Sequence, residues 1–220
     1  EFDISPMAFK TSDHFNKLFL RAGGYALEFD NDADPHYDAS GLGRVHKMGV
    51  PSALCLSLPC PAMPKFVVGE HPVAMSLSRG MCSDNYWQFA TDAYIGRYEL
   101  LGMGEGESSA HAKLLCRFFN AKEVTTVYTV DESGVTIKAT SSDKLAHMLP
   151  AFAFDGEVHT DIKQSEHTLE VRYQGYLCRY TASGKIIDLG EVGCNRNGHY
   201  RGFAAIGNKE LEIKIELIKE

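Results

Sequence analysis

The sequence predicts an all-β fold, a large antiparallel sandwich of two sheets, and three observations carry that prediction. Apolar residues recur mostly at every second position, the period of a strand with one buried face, and not at every third or fourth as in a helix. Glycine, a poor helix former, is frequent at 20 in 220 residues. About a dozen short alternating runs follow one another with turn residues between them, and sheets of that total size curl or pack in pairs. A 44% hydrophobic content over this length can bury one substantial core. A single domain is therefore expected over residues 17–220, after a lead-in at 1–16 that has no clear period.

The first expected hairpin pairs Lys17 to Arg21 with Tyr25 to Asp30 around Ala22-Gly23-Gly24, a glycine pair suited to a tight turn. A polar loop follows, from Asp30 to Val50. It holds four aspartates (Asp30, Asp32, Asp34, Asp38), two histidines, a tyrosine, an arginine and a lysine, broken by Pro35 and three glycines. Within it a short strand is expected at Gly43 to Lys47, where alternation about Val45 puts Arg44 and His46 on one face. Pro51, Pro59, Pro61 and Pro64 then remove backbone donors, so this stretch reads as an ordered surface loop. Strands are expected next at Val73 to Leu77, Tyr94 to Leu101, His111 to Phe119, Glu123 to Val130 and Val135 to Thr140. The last two are joined by the turn Asp131-Glu132-Ser133-Gly134. Glu123 to Val130 carries apolar or β-branched residues on both faces, as a central strand does. Ala146 to Phe154, Thr168 to Tyr173, Tyr176 to Ala182, Ile186 to Leu189, Tyr200 to Ile206 and Leu211 to Leu217 complete the series.

The formal charge of −7 argues against a nucleic-acid backbone binder, so an anionic ligand has to be met by a local cluster of cations. No apolar run approaches the roughly 18 to 20 residues of a membrane span. Glu1-Phe2-Asp3 is not a secretory signal and the chain begins without Met, so it reads as a mature form or an excised fragment. The six cysteines contain no Cys-x-x-Cys pair. Cys116 and Cys178 read as buried thiols, and Cys55 and Cys60 could pair in an oxidising compartment. No cofactor is expected. Asp30-x-Asp32-x-Asp34 is a poor calcium loop, because Pro35 stands where glycine is needed and Gly41 where a glutamate is needed. Zinc on two of the scattered histidines (His71, His111, His147, His159, His167, His199) stays open.

Several stretches carry a resemblance: Gly23-Gly24-Tyr25-Ala26-Leu27-Glu28-Phe29-Asp30, the run Ala33 to Lys47, Val127 to Thr136, and Leu149-Pro150-Ala151-Phe152-Ala153-Phe154-Asp155-Gly156. Together they resemble the C-terminal β-sandwich of heparinase II/III-like polysaccharide lyases. Many relatives carry a Gly- and His-rich run before an Asp where this chain reads Gly41-Leu42-Gly43-Arg44-Val45-His46-Lys47. The resemblance implies a helical toroid domain earlier in the same parent chain, an active site between the two domains, an acidic polysaccharide as partner, and a secreted or periplasmic location. It implies β-elimination on a uronate sugar. Such a reaction needs the carboxylate neutralised, the enolate stabilised, and a base and an acid at hand. His46 and Tyr37 are the candidate catalytic residues. Arg44, His36 and Lys47 are candidates for substrate contact, as is Trp87 in the aromatic run Asn85-Tyr86-Trp87-Gln88-Phe89. Each has a plainer reading: the loop aspartates as turn formers, Arg44 and His46 as a salt-linked structural pair, and Trp87 as a core residue. The resemblance implies that the chain is the sandwich domain of a lyase, a lyase when joined to the helical toroid domain and not expected to be active as the isolated chain. The alternative is a non-catalytic carbohydrate-binding or structural sandwich.

Overall fold

The computed structural model describes residues 4–32, 40–55, 67–68, 71–72, 77, 79–83, 86–89, 97–118 and 121–220. Among these there is no helix, and the strands come in chain order as β1 (Met7–Lys10), β2 (Lys17–Ala22), β3 (Tyr25–Asp30), β4 (Gly41–Lys47), β5 (Val67–Val68), β6 (His71–Pro72), β7 (Arg79–Ser83), β8 (Tyr86–Phe89), β9 (Arg97–Glu105) and β10 (Ala110–Arg117). They continue as β11 (Glu123–Asp131), β12 (Gly134–Thr140), β13 (Leu145–Phe154), β14 (Asp161–Gln164), β15 (Thr168–Tyr173), β16 (Tyr176–Ala182), β17 (Lys185–Asn195), β18 (Gly198–Gly207) and β19 (Glu210–Lys219).

One layer is an eight-stranded antiparallel sheet in the order β14-β15-β16-β19-β12-β11-β10-β9. Its β9 to β12 half is a meander of the strands expected from Tyr94 to Thr140, and β11 lies well inside it. The other layer is made of a four-stranded sheet, β1-β2-β3-β4, and a five-stranded sheet, β17-β18-β13-β7-β8. These join where Leu42 bridges Leu77, with the Leu77 amide donating to the Leu42 carbonyl at 3.0 Å. The sandwich is thus two broad layers. β2 packs on β10 and β11, and β13 packs on β14, β15 and β19. One continuous apolar cluster fills the space between, with Leu20, Leu27, Phe29, Tyr128, Ile137, Val171 and Ile215 all buried. Phe29 and Tyr128 meet edge to face across it at 4.8 Å.

Sequence dictates the β2 to β3 turn directly. Gly23 and Gly24 sit at φ +56° and +83°, the left-handed conformation of a two-residue hairpin turn. Gly23 has a second reason to be glycine, because a Cβ there would lie 2.3 Å from the Glu132 backbone in the β11 to β12 turn. The lead-in differs from expectation: Met7–Lys10 is a strand, held because Met7, Ala8, Phe9 and Lys10 pair in register with Arg21, Leu20, Phe19 and Leu18. Most of the proline-rich stretch, 56–66, lies outside the described residues.

The core also buries charge. Arg79 is fully enclosed between the layers, with its guanidinium 4.6 Å from the Tyr98 ring and Nη2 donating to Tyr128 Oη at 2.8 Å. His147, opposite Arg79 in the β13 to β7 register, is also fully buried, and its Nδ1 lies 3.0 Å from the Met148 carbonyl. A carbonyl only accepts, so Nδ1 carries the proton there.

Candidate functional site

Alternation in β2 and β3 turns Leu18, Leu20, Tyr25, Leu27 and Phe29 into the core and leaves Lys17, Phe19, Arg21, Glu28 and Asp30 on the outer face. In β4 the pattern is shifted by an irregularity. Phe29 pairs with Leu42 but Glu28 pairs with Arg44, so Gly43 is an extra residue in the ladder. This bulge keeps Leu42 in the core and still delivers Arg44 and His46 to the outer face, a device that re-aims side chains.

On that face Arg44 Nη1 lies 3.0 Å from Glu28 Oε2 directly across the strands, and Lys17 Nζ reaches Asp30 at 2.8 Å and Glu28 at 3.5 Å. His46 stands beside this group, half-buried. Burial lowers its affinity for a proton, and Arg44 lowers it further. Glu28 opposes the shift and Arg196 reinforces it. His46 is therefore held toward the neutral imidazole, the form that can accept a proton.

Arg196 belongs to the turn between β17 and β18. That turn is ordered by Asn195 Oδ1 accepting from the Asn197 amide at 2.8 Å, and by Gly198, where a Cβ would lie 2.1 Å from the Phe154 carbonyl. Tyr200, at the start of β18, donates to the Ala53 carbonyl at 3.0 Å and so fastens the hairpin to the segment following β4. The polar composition of Asn195 to Arg201 was the only sequence signal for this arginine, since its neighbour His46 is 150 positions away.

Arg44 and His46 therefore share a face as alternation predicts. Lys47 leaves β4 on the opposite face: its ammonium donates to the Leu217 carbonyl at 2.8 Å and lies 4.7 Å from the Tyr25 ring centre. His46 and Lys47 nevertheless border one cavity of about 330 Å³ at the end of the sheet, together with Ile4, Arg21, Tyr25 and Met48. Asp30 acts partly as the turn former expected, accepting from the Asp32 amide at 3.1 Å. His36 and Tyr37 lie outside the described residues. Trp87 falls on β8, paired with Cys82, and its side chain is likewise outside them. A larger cleft of about 950 Å³ opens between the turns at the opposite end, lined by Ser142, Asp143, Lys144, Ser183, Asn208 and Lys209, and holds none of the predicted residues. Among the described residues no group of three or more His, Cys, Asp or Glu is placed to hold a metal ion. The described residues include no helix long and apolar enough to cross a membrane, a statement that leaves β-barrels aside.

No family model matches the sequence, and neither does any curated protein. Solved structures do match in shape. A heparinase III superposes over 100% of this chain and 37% of its own, with TM-score 0.62 and 10% identity. The sandwich shares its fold with that part of the heparinase III chain. The heparan sulfate lyase of Pedobacter heparinus matches 99% of this chain and 36% of its own, with TM-score 0.60 and 8% identity. This chain thus spans little more than a third of the lyase chains it matches. A galactose mutarotase-like protein from Clostridium acetobutylicum matches 99% of both chains, with TM-score 0.56 and 9% identity. At such identities the likeness is one of fold.

Proposed function

We propose that this chain is the β-sandwich domain of a lyase acting by β-elimination on uronate-containing polysaccharide, and that the outer face of β4 contributes to the reaction. One observation carries the reading: an imidazole held toward neutrality, His46, beside the guanidinium of Arg44 and under the influence of Arg196. In the reaction, His46 takes the proton next to the substrate carboxylate. Arg44, with Arg196 near, neutralises that carboxylate and the enolate that develops from it. Breaking the bond to the glycosidic oxygen leaves a double bond in the sugar and needs a proton donor. Tyr37, between β3 and β4 in sequence, is the candidate, with its sequence neighbour His36 for substrate contact. The span of little more than a third of the lyase chains supports a helical partner domain in the same parent chain. A secreted or periplasmic location goes with this reading.

The test is to incubate the parent polypeptide, and this chain alone, with heparan, alginate and chondroitin polymers and follow near-ultraviolet absorbance of unsaturated uronates. Product from the parent that disappears in His46→Ala is expected. No product from either on any polymer sinks the lyase reading. A non-catalytic carbohydrate-binding or structural sandwich is the second reading, favoured by the match to 99% of a mutarotase-like chain, so that a sandwich of this extent can make up a whole chain. Retention on an acidic glycan column without turnover supports it.

A further inference from the structure

Two thiols far apart in sequence meet in the core. Cys55 Sγ lies 3.9 Å from Cys178 Sγ and 3.6 Å from Tyr180 Oη, although the cysteines are 123 positions apart. Cys178 belongs to β16, between β15 and β19 inside the eight-stranded sheet. Cys55 lies in the segment that follows β4, and both residues are essentially unexposed, at 1% and 0%. A disulfide sets its sulfurs about 2.05 Å apart, so the pair must close by roughly 2 Å. Cys55 lies outside the strands, so its segment can supply that adjustment without shifting a ladder.

We propose that Cys55 and Cys178 are a cross-linking site, forming a disulfide that ties the segment behind β4 to the opposite layer. A small-molecule disulfide of the oxidised glutathione class serves as oxidant. The Cys55 thiolate attacks one sulfur of that disulfide, forming a mixed disulfide and releasing one glutathione thiol. The Cys178 thiolate then attacks the Cys55 sulfur and releases the second. Two thiol protons and two electrons leave the protein for glutathione, and one S–S bond replaces another. Burial raises the Cys178 thiol well above its ordinary range, so exchange in the folded chain is slow and runs through opening of the Cys55 segment. The link would hold in place the backbone behind Arg44 and His46. The compartment in which it forms follows from the secreted or periplasmic reading above, but the chemistry does not depend on that reading. Cys60, with which Cys55 could pair on the sequence reading, lies outside the described residues.

The experiment equilibrates the purified chain in glutathione buffers of rising oxidised fraction, quenches with acid, alkylates in denaturant, and maps unreduced peptides by mass spectrometry. The expected result is one linked species joining the Cys55 and Cys178 peptides, lighter by two hydrogens. Reductant should then lower the thermal midpoint by about 10 °C, as closing a loop of over a hundred residues implies for a chain of this size. Cys55→Ser should abolish both the linked peptide and the reductant effect, and wild-type mapping stands without it. Full alkylation of both cysteines at every ratio, or Cys55 joined to Cys60, overturns the proposal. Neither outcome bears on catalysis by His46, which is read separately from unsaturated uronate formation.

Discussion

Acidification should load a proton onto His147 at a cost set by the core. Its ring is fully buried, its Nδ1–H is committed to the Met148 carbonyl, and Nε2 has no hydrogen-bond partner among the described residues. The opposing side chain is the cationic Arg79, which has no carboxylate ion pair among the described residues. Burial, with Arg79 adding to it, lowers His147 from an ordinary 6.5 to about 3. The unfolded chain therefore binds a proton where the folded chain does not, and stability rises with pH through this window. The contribution is fully present above pH 6.5 and is lost progressively as pH falls toward 3. At about 1.4 kcal/mol per pH unit this amounts to roughly 3 to 5 kcal/mol. Asp143, Asp155, Glu170 and Asp188 also have lowered values and lose their contributions at more acid pH, and His46 titrates in the same direction as His147. The comparison must therefore be differential. Urea unfolding of wild type and His147→Gln, followed by circular dichroism from pH 7.5 to 4.5, isolates the one group, since glutamine keeps an N–H for Met148 and does not titrate. The wild type should lose about 1.4 kcal/mol more per pH unit than the variant below pH 6. Parallel curves would falsify the assignment of His147 as a buried neutral imidazole.

Other substitutions test the fold and the face of β4. Gly23→Ala should cost about 3 kcal/mol or more, because it adds a left-handed strain to a Cβ collision with the Glu132 backbone; Gly24→Ala, with open space around it, should cost only about 1 kcal/mol. Equal urea midpoints for the two would rule out the packing of one turn on the other. Tyr25→Phe removes the hydroxyl that accepts from the Leu217 amide at 2.9 Å, and leaving that buried N–H unpaired should cost about 1 to 3 kcal/mol. Lys47→Met should lower stability by about 1 kcal/mol through loss of its bond to Leu217 while leaving retention on an acidic glycan column unchanged. Arg44→Ala should do the reverse, and a retention loss in Lys47→Met equal to that in Arg44→Ala would place Lys47 in the glycan contact.

The candidate site was legible where it depends on neighbours in sequence. Alternation about Val45 put Arg44 and His46 together, and the same rule sends Lys47 to the opposite face, where it reaches the Leu217 carbonyl. The bulge at Gly43 left no local signature beyond the glycine itself, because a ladder irregularity exists only relative to the paired strand. Arg196 could not be assigned to His46, since β17 and β18 reach that region through a turn position set by Gly198 against the Phe154 carbonyl.

Local chemistry by itself determined the all-β class, the Gly23-Gly24 hairpin, the meander and the amphipathic final strand, because side-chain alternation and left-handed turn conformations act over a few residues. Tertiary structure alone decided the rest. Met7–Lys10 became a strand because β2 offered it an unpaired edge, and the four- and five-stranded sheets became one layer through the Leu42 to Leu77 bridge. Arg79 was buried with His147 between the layers, and Cys55 was brought beside Cys178, across 123 positions. Each of these depends on which strands become neighbours, and that is settled by closing one core across the whole chain.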